Sequence, residues 1–383
     1  MIKRLEINYR GILQKNLAKK LGSDIVMIAH RMGRIGFSNG RYSDSPERDG
    51  IPCKYFAFIT HDLEEEELEA ECGAKLDIDE ADVSVVLDEA MVKGVEPWGW
   101  HGIRPINEKT IENGCQLVVS RKSHDDLLQF IGHKPFRWRL AILEGDANMA
   151  GLWVNKDDLT YERVLGGVAA VDPDIIGIEA VEAFLLERTK DPARAKAARE
   201  AYESVQRRTR VVNSEEGVAW PHEVPVLPPW HSFMEGAAVP AVARRFELGP
   251  RGQSRNLTFK RGTTKSLRPV VRFDLCIKCT LCWLECPDQC FDPTQDGLYD
   301  IDYEYCTGCG KCAAVCPVNE CIVMVDELKF PDDSSPWEQW NDDKAGYTDW
   351  AEQKKGTERF FYPFITGTGF ERRVGKTVPP NIK

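Results

Sequence analysis

The feature that most constrains this chain is a run of four cysteines at fixed steps, Cys276-Ile-Lys-Cys279-Thr-Leu-Cys282-Trp-Leu-Glu-Cys286-Pro287, which recurs as Cys306-Thr-Gly-Cys309-Gly-Lys-Cys312-Ala-Ala-Val-Cys316-Pro317. Three cysteines two residues apart curl a short loop so that their sulfurs face one cavity. The fourth is expected at the start of a helix facing the opposite site, and the following proline turns the chain away. This C-x2-C-x2-C-x3-C-P spacing is the one that holds a cubane iron–sulfur cluster. Zinc is the rival reading, because thiolates also bind that ion tetrahedrally. Zinc sites use two separated pairs, whereas these runs are evenly stepped triplets closed by Cys-Pro. A disulfide framework belongs to short secreted chains. The opening Met1–Arg10 segment reads as a charged strand, not an export leader.

In proteins with two such runs, the fourth cysteine serves the other cluster. The expected ligand sets are therefore Cys276, Cys279, Cys282 and Cys316, and then Cys306, Cys309, Cys312 and Cys286. Gly308 and Gly310 would let backbone N–H groups approach the sulfurs. Five of the thirteen cysteines remain. Cys290 and Cys321 follow the two Cys-Pro turns and read as small buried hydrophobes near the clusters. Cys53, Cys72 and Cys115 are isolated and read as buried free thiols. Metal-bound thiolates without disulfides imply a reducing, cytoplasmic setting. No stretch approaches eighteen uninterrupted apolar residues, so no membrane span is expected.

At 383 residues the chain is too long for one ordinary core, so more than one domain is expected. Residues 1–205 alternate apolar runs with amphipathic stretches. The strand candidates are Asp24–His30, Lys54–Thr60, Val83–Leu87, Cys115–Ser120 and Arg139–Leu143, with helices at Ser123–Ile131 and Pro173–Glu187. That alternation predicts an α/β domain, a mostly parallel sheet with flanking helices. A charged helix over 189–209 begins at Asp191-Pro192, with proline at the first helical position. Residues 206–265 read as an extended basic, proline-rich linker, and 266–327 as a small α+β two-cluster domain. Residues 328–383 form an aromatic-rich tail whose Trp337, Trp340, Trp350, Phe360, Phe361 and Tyr362 need a surface to cover. A partner subunit or the first domain is expected to supply it.

Charge divides the same way. Nine Lys and Arg oppose one acidic residue between Ala241 and Arg272, whereas nine acidic residues oppose two lysines from Asp274 to Cys321. Because the whole chain carries a net charge of −11 and no nucleic-acid motif accompanies the basic run, it reads as a segment wrapping an acidic surface.

These residues resemble the fused gamma and delta subunits of the 2-oxoacid:ferredoxin oxidoreductases, the group of pyruvate:ferredoxin oxidoreductase and oxalate oxidoreductase. The delta-like likeness lies in Arg268-Pro-Val before Cys276, Leu281-Cys-Trp-Leu before Cys286-Pro287, Tyr305-Cys-Thr-Gly-Cys309-Gly, and Cys316-Pro-Val. The gamma-like likeness lies in Ser45-Pro-Glu-Arg48-Asp-Gly50-Ile-Pro52. The glycine-rich turn usual after the first gamma strand is reduced here to Gly11. Phosphate contact at that turn is thus weakened, which tilts the reading toward a member that does not use coenzyme A.

The resemblance implies an electron-transfer and scaffold subunit passing electrons from a 2-oxoacid, pyruvate or oxalate foremost, through two [4Fe-4S] clusters to an external ferredoxin. It implies alpha-like and beta-like catalytic partners that hold thiamine diphosphate and magnesium, in a dimer of hetero-oligomers. Consistently, this chain has no Gly-Asp-Gly run for thiamine: Gly145-Asp-Ala-Asn148 is not one. No nucleophile-elbow or phosphate-loop motif occurs either. No catalytic residue is assigned. Glu47 and Arg48 are candidates for touching a partner or its anionic substrate, because a guanidinium binds carboxylate or phosphate at two points. The alternative is the iron–sulfur subunit of another anaerobic redox complex, a hydrogenase or dehydrogenase.

Overall fold

A computed structural model describes residues 2–40, 52–73, 78–93, 109–145, 159–217, 265, 267–330 and 333–355. These fall into two compact units, one built from residues up to 217 and one from residue 265 onward. Glu47, Arg48, most of the basic linker, and Phe360, Phe361 and Tyr362 lie outside the described residues.

The first unit is an α/β layer structure. Its elements run β1 (Lys3–Arg10), α1 (Gly11–Arg31), β2 (Ile35–Gly40), β3 (Pro52–Thr60), α2 (Glu65–Cys72), β4 (Ala81–Val86), β5 (Thr110–Val119), α3 (His124–Leu128), β6 (Trp138–Leu143), α4 (Thr160–Val171), α5 (Ile178–Thr189), α6 (Pro192–Arg207) and β7 (Thr209–Val212). The sheet order is β2-β3-β1-β4-β5-β6-β7. The central strands β1, β4, β5 and β6 pair in parallel, with Ile7 beside Val85 and Val85 beside Leu117. β2, β3 and β7 extend the two sides in antiparallel fashion. Central strands buried on both sides are rich in β-branched residues, as a covered parallel sheet requires.

Leu5, Ile7, Val83, Val85 and Leu117 bury one sheet face against Leu21, Ile25 and Ile28 of α1 and Val164, Leu165 and Val168 of α4. Helices α4 and α6 approach closely at Gly166, where an added Cβ would lie 2.0 Å from the Ala198 carbonyl oxygen. Asp191 caps α6, its side chain accepting from the Ala193 N–H at 2.9 Å, and Pro192 opens the helix as expected.

Two expectations need correcting here. Asp24–His30 is not a strand but the second half of the long helix α1. Its apolar residues follow the helical period: Leu21, Ile25 and Ile28 are buried on one face while Met27 is 48 % exposed. The domain also does not stop at 205, because β7 pairs with β6, Val212 against Trp138.

The second unit is a small α+β fold. Its elements are β8 (Leu267–Val271), α7 (Leu281–Leu284), β9 (Phe291–Pro293), β10 (Tyr299–Ile301), α8 (Lys311–Val315), β11 (Ile322–Asp326), α9 (Pro336–Asp342) and α10 (Lys344–Lys355). β8 pairs with β11 and β9 with β10, both antiparallel. Arg268 sits fully buried beneath the first pair. It holds both Glu327 oxygens at 2.7 and 2.6 Å and Asp333 at 2.7 Å, with its guanidinium 4.3 Å from the Tyr303 ring and 4.4 Å from that of Phe330. A planar fork satisfied on all sides is the form in which a buried cation is tolerated.

The described part of the aromatic tail is helical and packs on its own unit, contrary to the expectation of a partner subunit or the first domain. Trp340 and Tyr347 stack beside Phe273, and the Tyr347 hydroxyl donates to the Val271 carbonyl at 3.0 Å. Trp350 meets Phe330 edge-on. Ser335 caps α9 by accepting from the Glu338 N–H at 3.0 Å, with Pro336 next, so the sequence starts this helix with ordinary signals.

Candidate iron–sulfur site

The two cysteine runs fold as near-copies of one another. In each, the residue before and the residue after the second cysteine have left-handed backbone: Lys278 (φ 61°) and Thr280 (φ 65°) in the first run, Gly308 (φ 69°) and Gly310 (φ 74°) in the second. Glycine pays no steric penalty there, whereas Lys278 and Thr280 do. The turn this produces aims backbone N–H groups at sulfur. The Lys278 N–H donates to Cys276 Sγ and the Gly308 N–H to Cys306 Sγ, both at 3.4 Å. A third such bond runs from the Cys290 N–H to Cys286 Sγ at 3.3 Å. The third cysteine of each run sits in a short helix, α7 or α8. The fourth follows that helix instead of starting one, a correction to the sequence reading.

Two cavities result. The first is lined by Cys276, Cys279, Cys282 and Cys316, with Phe273, Phe291 and Tyr299 among its apolar walls. The second is lined by Cys286, Cys306, Cys309 and Cys312, with Pro269, Asp288 and Thr307. Each cavity thus combines three cysteines of one run with the fourth of the other. Four cysteines around one cavity, in the C-x2-C-x2-C-x3-C-P spacing and met by N–H donors, suit a multinuclear iron–sulfur group.

Two further thiols line these cavities, Cys321 the first and Cys290 the second. The sequence reading placed both near the clusters but gave them no polar role. A hydrogen bond from Cys321, followed by that of the Lys278 N–H, draws the Cys276 thiol down to about 6 against its burial. Cys290 does the same for Cys286, drawn down to about 7. Burial pushes Cys282 and Cys309 up to about 12. Crowded, desolvated thiols of this kind lose their protons only when a cation binds them.

In the first unit, Cys53, Cys72 and Cys115 are buried in apolar surroundings, as expected of inert thiols, and burial pushes Cys115 up to about 12. No described helix is long and apolar enough to cross a membrane.

Residues 270–324 match the 4Fe-4S dicluster domain family. The chain is 40 % identical over 72 residues to pyruvate synthase subunit PorD of Thermotoga maritima, a span covering 19 % of this chain and 72 % of that one. Its likeness to the PorD of Methanocaldococcus jannaschii is 40 % over 70 residues, covering 18 % and 80 %. NADH-dependent phenylglyoxylate dehydrogenase subunit delta of Aromatoleum evansii is 46 % identical over 56 residues, 15 % of this chain and 59 % of that one. Among solved structures, pyruvate oxidoreductase subunit PORC of Thermotoga maritima is similar at a TM-score of 0.38 and 18 % identity, over 55 % of this chain and 98 % of that one.

Fold, cavities and matched domain together define an iron–sulfur electron-transfer protein of the two-cluster kind. More particularly, the chain belongs to the family of 2-oxoacid:ferredoxin oxidoreductase subunits, in which its cluster unit is of the delta type. It is accordingly an electron-transfer iron–sulfur subunit of an oxidoreductase complex.

Proposed function

We propose that this chain is a fused gamma/delta subunit that relays electrons from a thiamine-diphosphate-dependent 2-oxoacid decarboxylation, on alpha-like and beta-like partners, to an external ferredoxin in the cytoplasm. The observation that carries the reading is the pair of cavities, each lined by the four cysteines expected from the crossed spacing. Under it, Cys276, Cys279, Cys282 and Cys316 hold one [4Fe-4S] cluster and Cys306, Cys309, Cys312 and Cys286 the other. Bound clusters would supply one-electron steps between a two-electron oxidation and a one-electron carrier. The chain's own part is to hold the thiolates, to place N–H donors on Cys276, Cys286 and Cys306, and to wall the site with Phe273, Phe291 and Tyr299. The gamma assignment rests on the Ser45–Pro52 turn and on the order of an α/β unit before the cluster unit. Pyruvate and oxalate are the favoured substrates. NADH dependence of one relative supports a second reading, in which a nicotinamide replaces ferredoxin as the partner carrier.

The test is anaerobic purification of the chain with its co-purifying partners. The reading requires about eight iron and eight sulfide per copy of this chain. It also requires thiamine diphosphate on a partner, and reduction of both clusters on adding a 2-oxoacid. Zinc in place of iron, or clusters that no 2-oxoacid reduces, would contradict it. Assays against pyruvate, oxalate, 2-oxoglutarate and aryl oxoacids, with and without coenzyme A and with ferredoxin or a nicotinamide, then fix substrate and acceptor.

A further inference from the structure

Each cavity has a fifth thiol, placed the same way in both. Cys290 stands four residues after Cys286, and Cys321 five after Cys316. In each case the preceding residue adopts left-handed backbone, Gln289 at φ 52° and Glu320 at φ 63°. Neither is a glycine, so both turns carry a steric cost. The extra residue before Cys321 is absorbed and the outcome is unchanged. Both side chains end buried, at 1 % and 2 % exposure, on the cavity wall. Their neighbours are specific. Cys290 shares the wall of its cavity with Cys286 and Cys306, its own N–H donating to Cys286 Sγ at 3.3 Å, and Cys321 shares its wall with Cys276 and Cys316. Each therefore sits where the last or first ligand of one run meets that of the other.

A filler residue would need only a methyl group there. A fifth ligand has no role, because a cubane bound by cysteine takes four. What a thiol adds is a proton to give. A thiol on the wall of a cavity lined by four other cysteines can turn its S–H toward one of their sulfurs. The Cys321 sulfur also has the Arg272 carbonyl as an acceptor at 3.6 Å, but a charged sulfur is the stronger acceptor.

Resting on the assignment of the eight ligands above, we propose that Cys290 and Cys321 are positioning residues that donate S–H hydrogen bonds to the sulfur ligands of their cavities and so raise each cluster's reduction potential. Hydrogen bonds to the sulfurs withdraw negative charge and favour the reduced state, one of the levers that sets such potentials. The effect is local: Cys321 acts on the cluster of Cys276, and Cys290 on that of Cys306.

The test compares Cys290→Ala and Cys290→Ser, and the same pair at Cys321, in the full complex, by iron analysis and a redox titration followed by electron paramagnetic resonance. The alanine variants should keep all the iron and show a more negative potential for the cluster in that cavity alone. The serine variants keep a donor and should return the potential toward that of the unaltered protein. Equal potentials for alanine, serine and cysteine would overturn the proposal and leave the ligand assignment standing. Loss of half the iron from an alanine variant would instead make the fifth thiol a ligand, overturning the assignment itself. If an alanine variant fails to assemble, serine alone decides: a potential as far displaced as that of a bulkier non-donor, Cys290→Val, contradicts donation.

Discussion

The two cysteine loops share a spacing and a turn but not an environment. In the first, Ile277 and Leu284 are each 62 % exposed and Trp283 is 44 % exposed. In the second, the equivalent stretch is packed. Thr307 is buried, and a Cβ on Gly308 would lie 2.1 Å from the Leu267 carbonyl oxygen. The first loop carries Lys278 and Thr280 in left-handed backbone, the Lys278 side chain lying exposed where it donates to the Asp296 carbonyl. The second needs glycine at 308, where the strand carbonyl leaves no room for a Cβ. One motif thus yields an outer site open to solvent and an inner site held by β8. The motif dictates ligation, and the surroundings dictate access and rigidity.

Removing the clamp beneath β8 should break this contrast most forcefully. Arg268→Met removes both short guanidinium contacts and leaves Glu327 and Asp333 with Lys265 alone as counter-charge, at 3.5 and 3.4 Å, a loss of about 3 kcal/mol, the low end of what breaking a buried pair costs. Chemical unfolding should show that loss, and iron should leave the second cavity before the first. Next in size is Gly308→Ala, which meets both the close contact and the left-handed backbone; the backbone alone costs roughly 1–2 kcal/mol. The mirror change, Lys278→Gly at the equivalent position of the outer loop, should be neutral or stabilising. Equal penalties in the two loops, measured by thermal unfolding of the iron-loaded protein, would remove the distinction. In the intact protein, an iron chelator should bleach the outer cluster first, a difference of rate that stopped-flow absorbance can follow. The smallest effect is expected from Leu284→Ser, which loses little burial and should alter stability by no more than about 0.5 kcal/mol.

Much of this was legible in the sequence because metal ligation tolerates so little variation. The spacing singled out eight of the ten cysteines that line the two cavities, and alternation and β-branched runs found β3, β4, β5 and β6. The failures have physical causes. Ile25-Val-Met-Ile28 has the composition of a strand, but its buried residues recur with the helical period set by Leu21. The four-residue β7 is too short to carry any periodicity, although its pairing with β6 moves the domain boundary. The tail helices α9 and α10 carry caps at Ser335 and Asp343 positions that a search for apolar periodicity passes over, since their buried face is aromatic. Cys290 and Cys321 were located but read only as small buried hydrophobes. Their signal, a residue in left-handed backbone just before each, is a property of the folded chain. Arg268-Pro-Val was noticed as a likeness, and the fold shows why it matters locally: the arginine anchors the strand on which the inner loop rests.

The crossed arrangement of the two clusters is the centre of this account, and Cys286→Ser tests it most directly. With the two clusters resolved by electron paramagnetic resonance in the reduced complex, the substitution should perturb or abolish the signal of the cluster held by Cys306, Cys309 and Cys312, leaving the other unchanged. A change confined to the cluster of Cys276, Cys279 and Cys282, the sequence neighbours of Cys286, would contradict it.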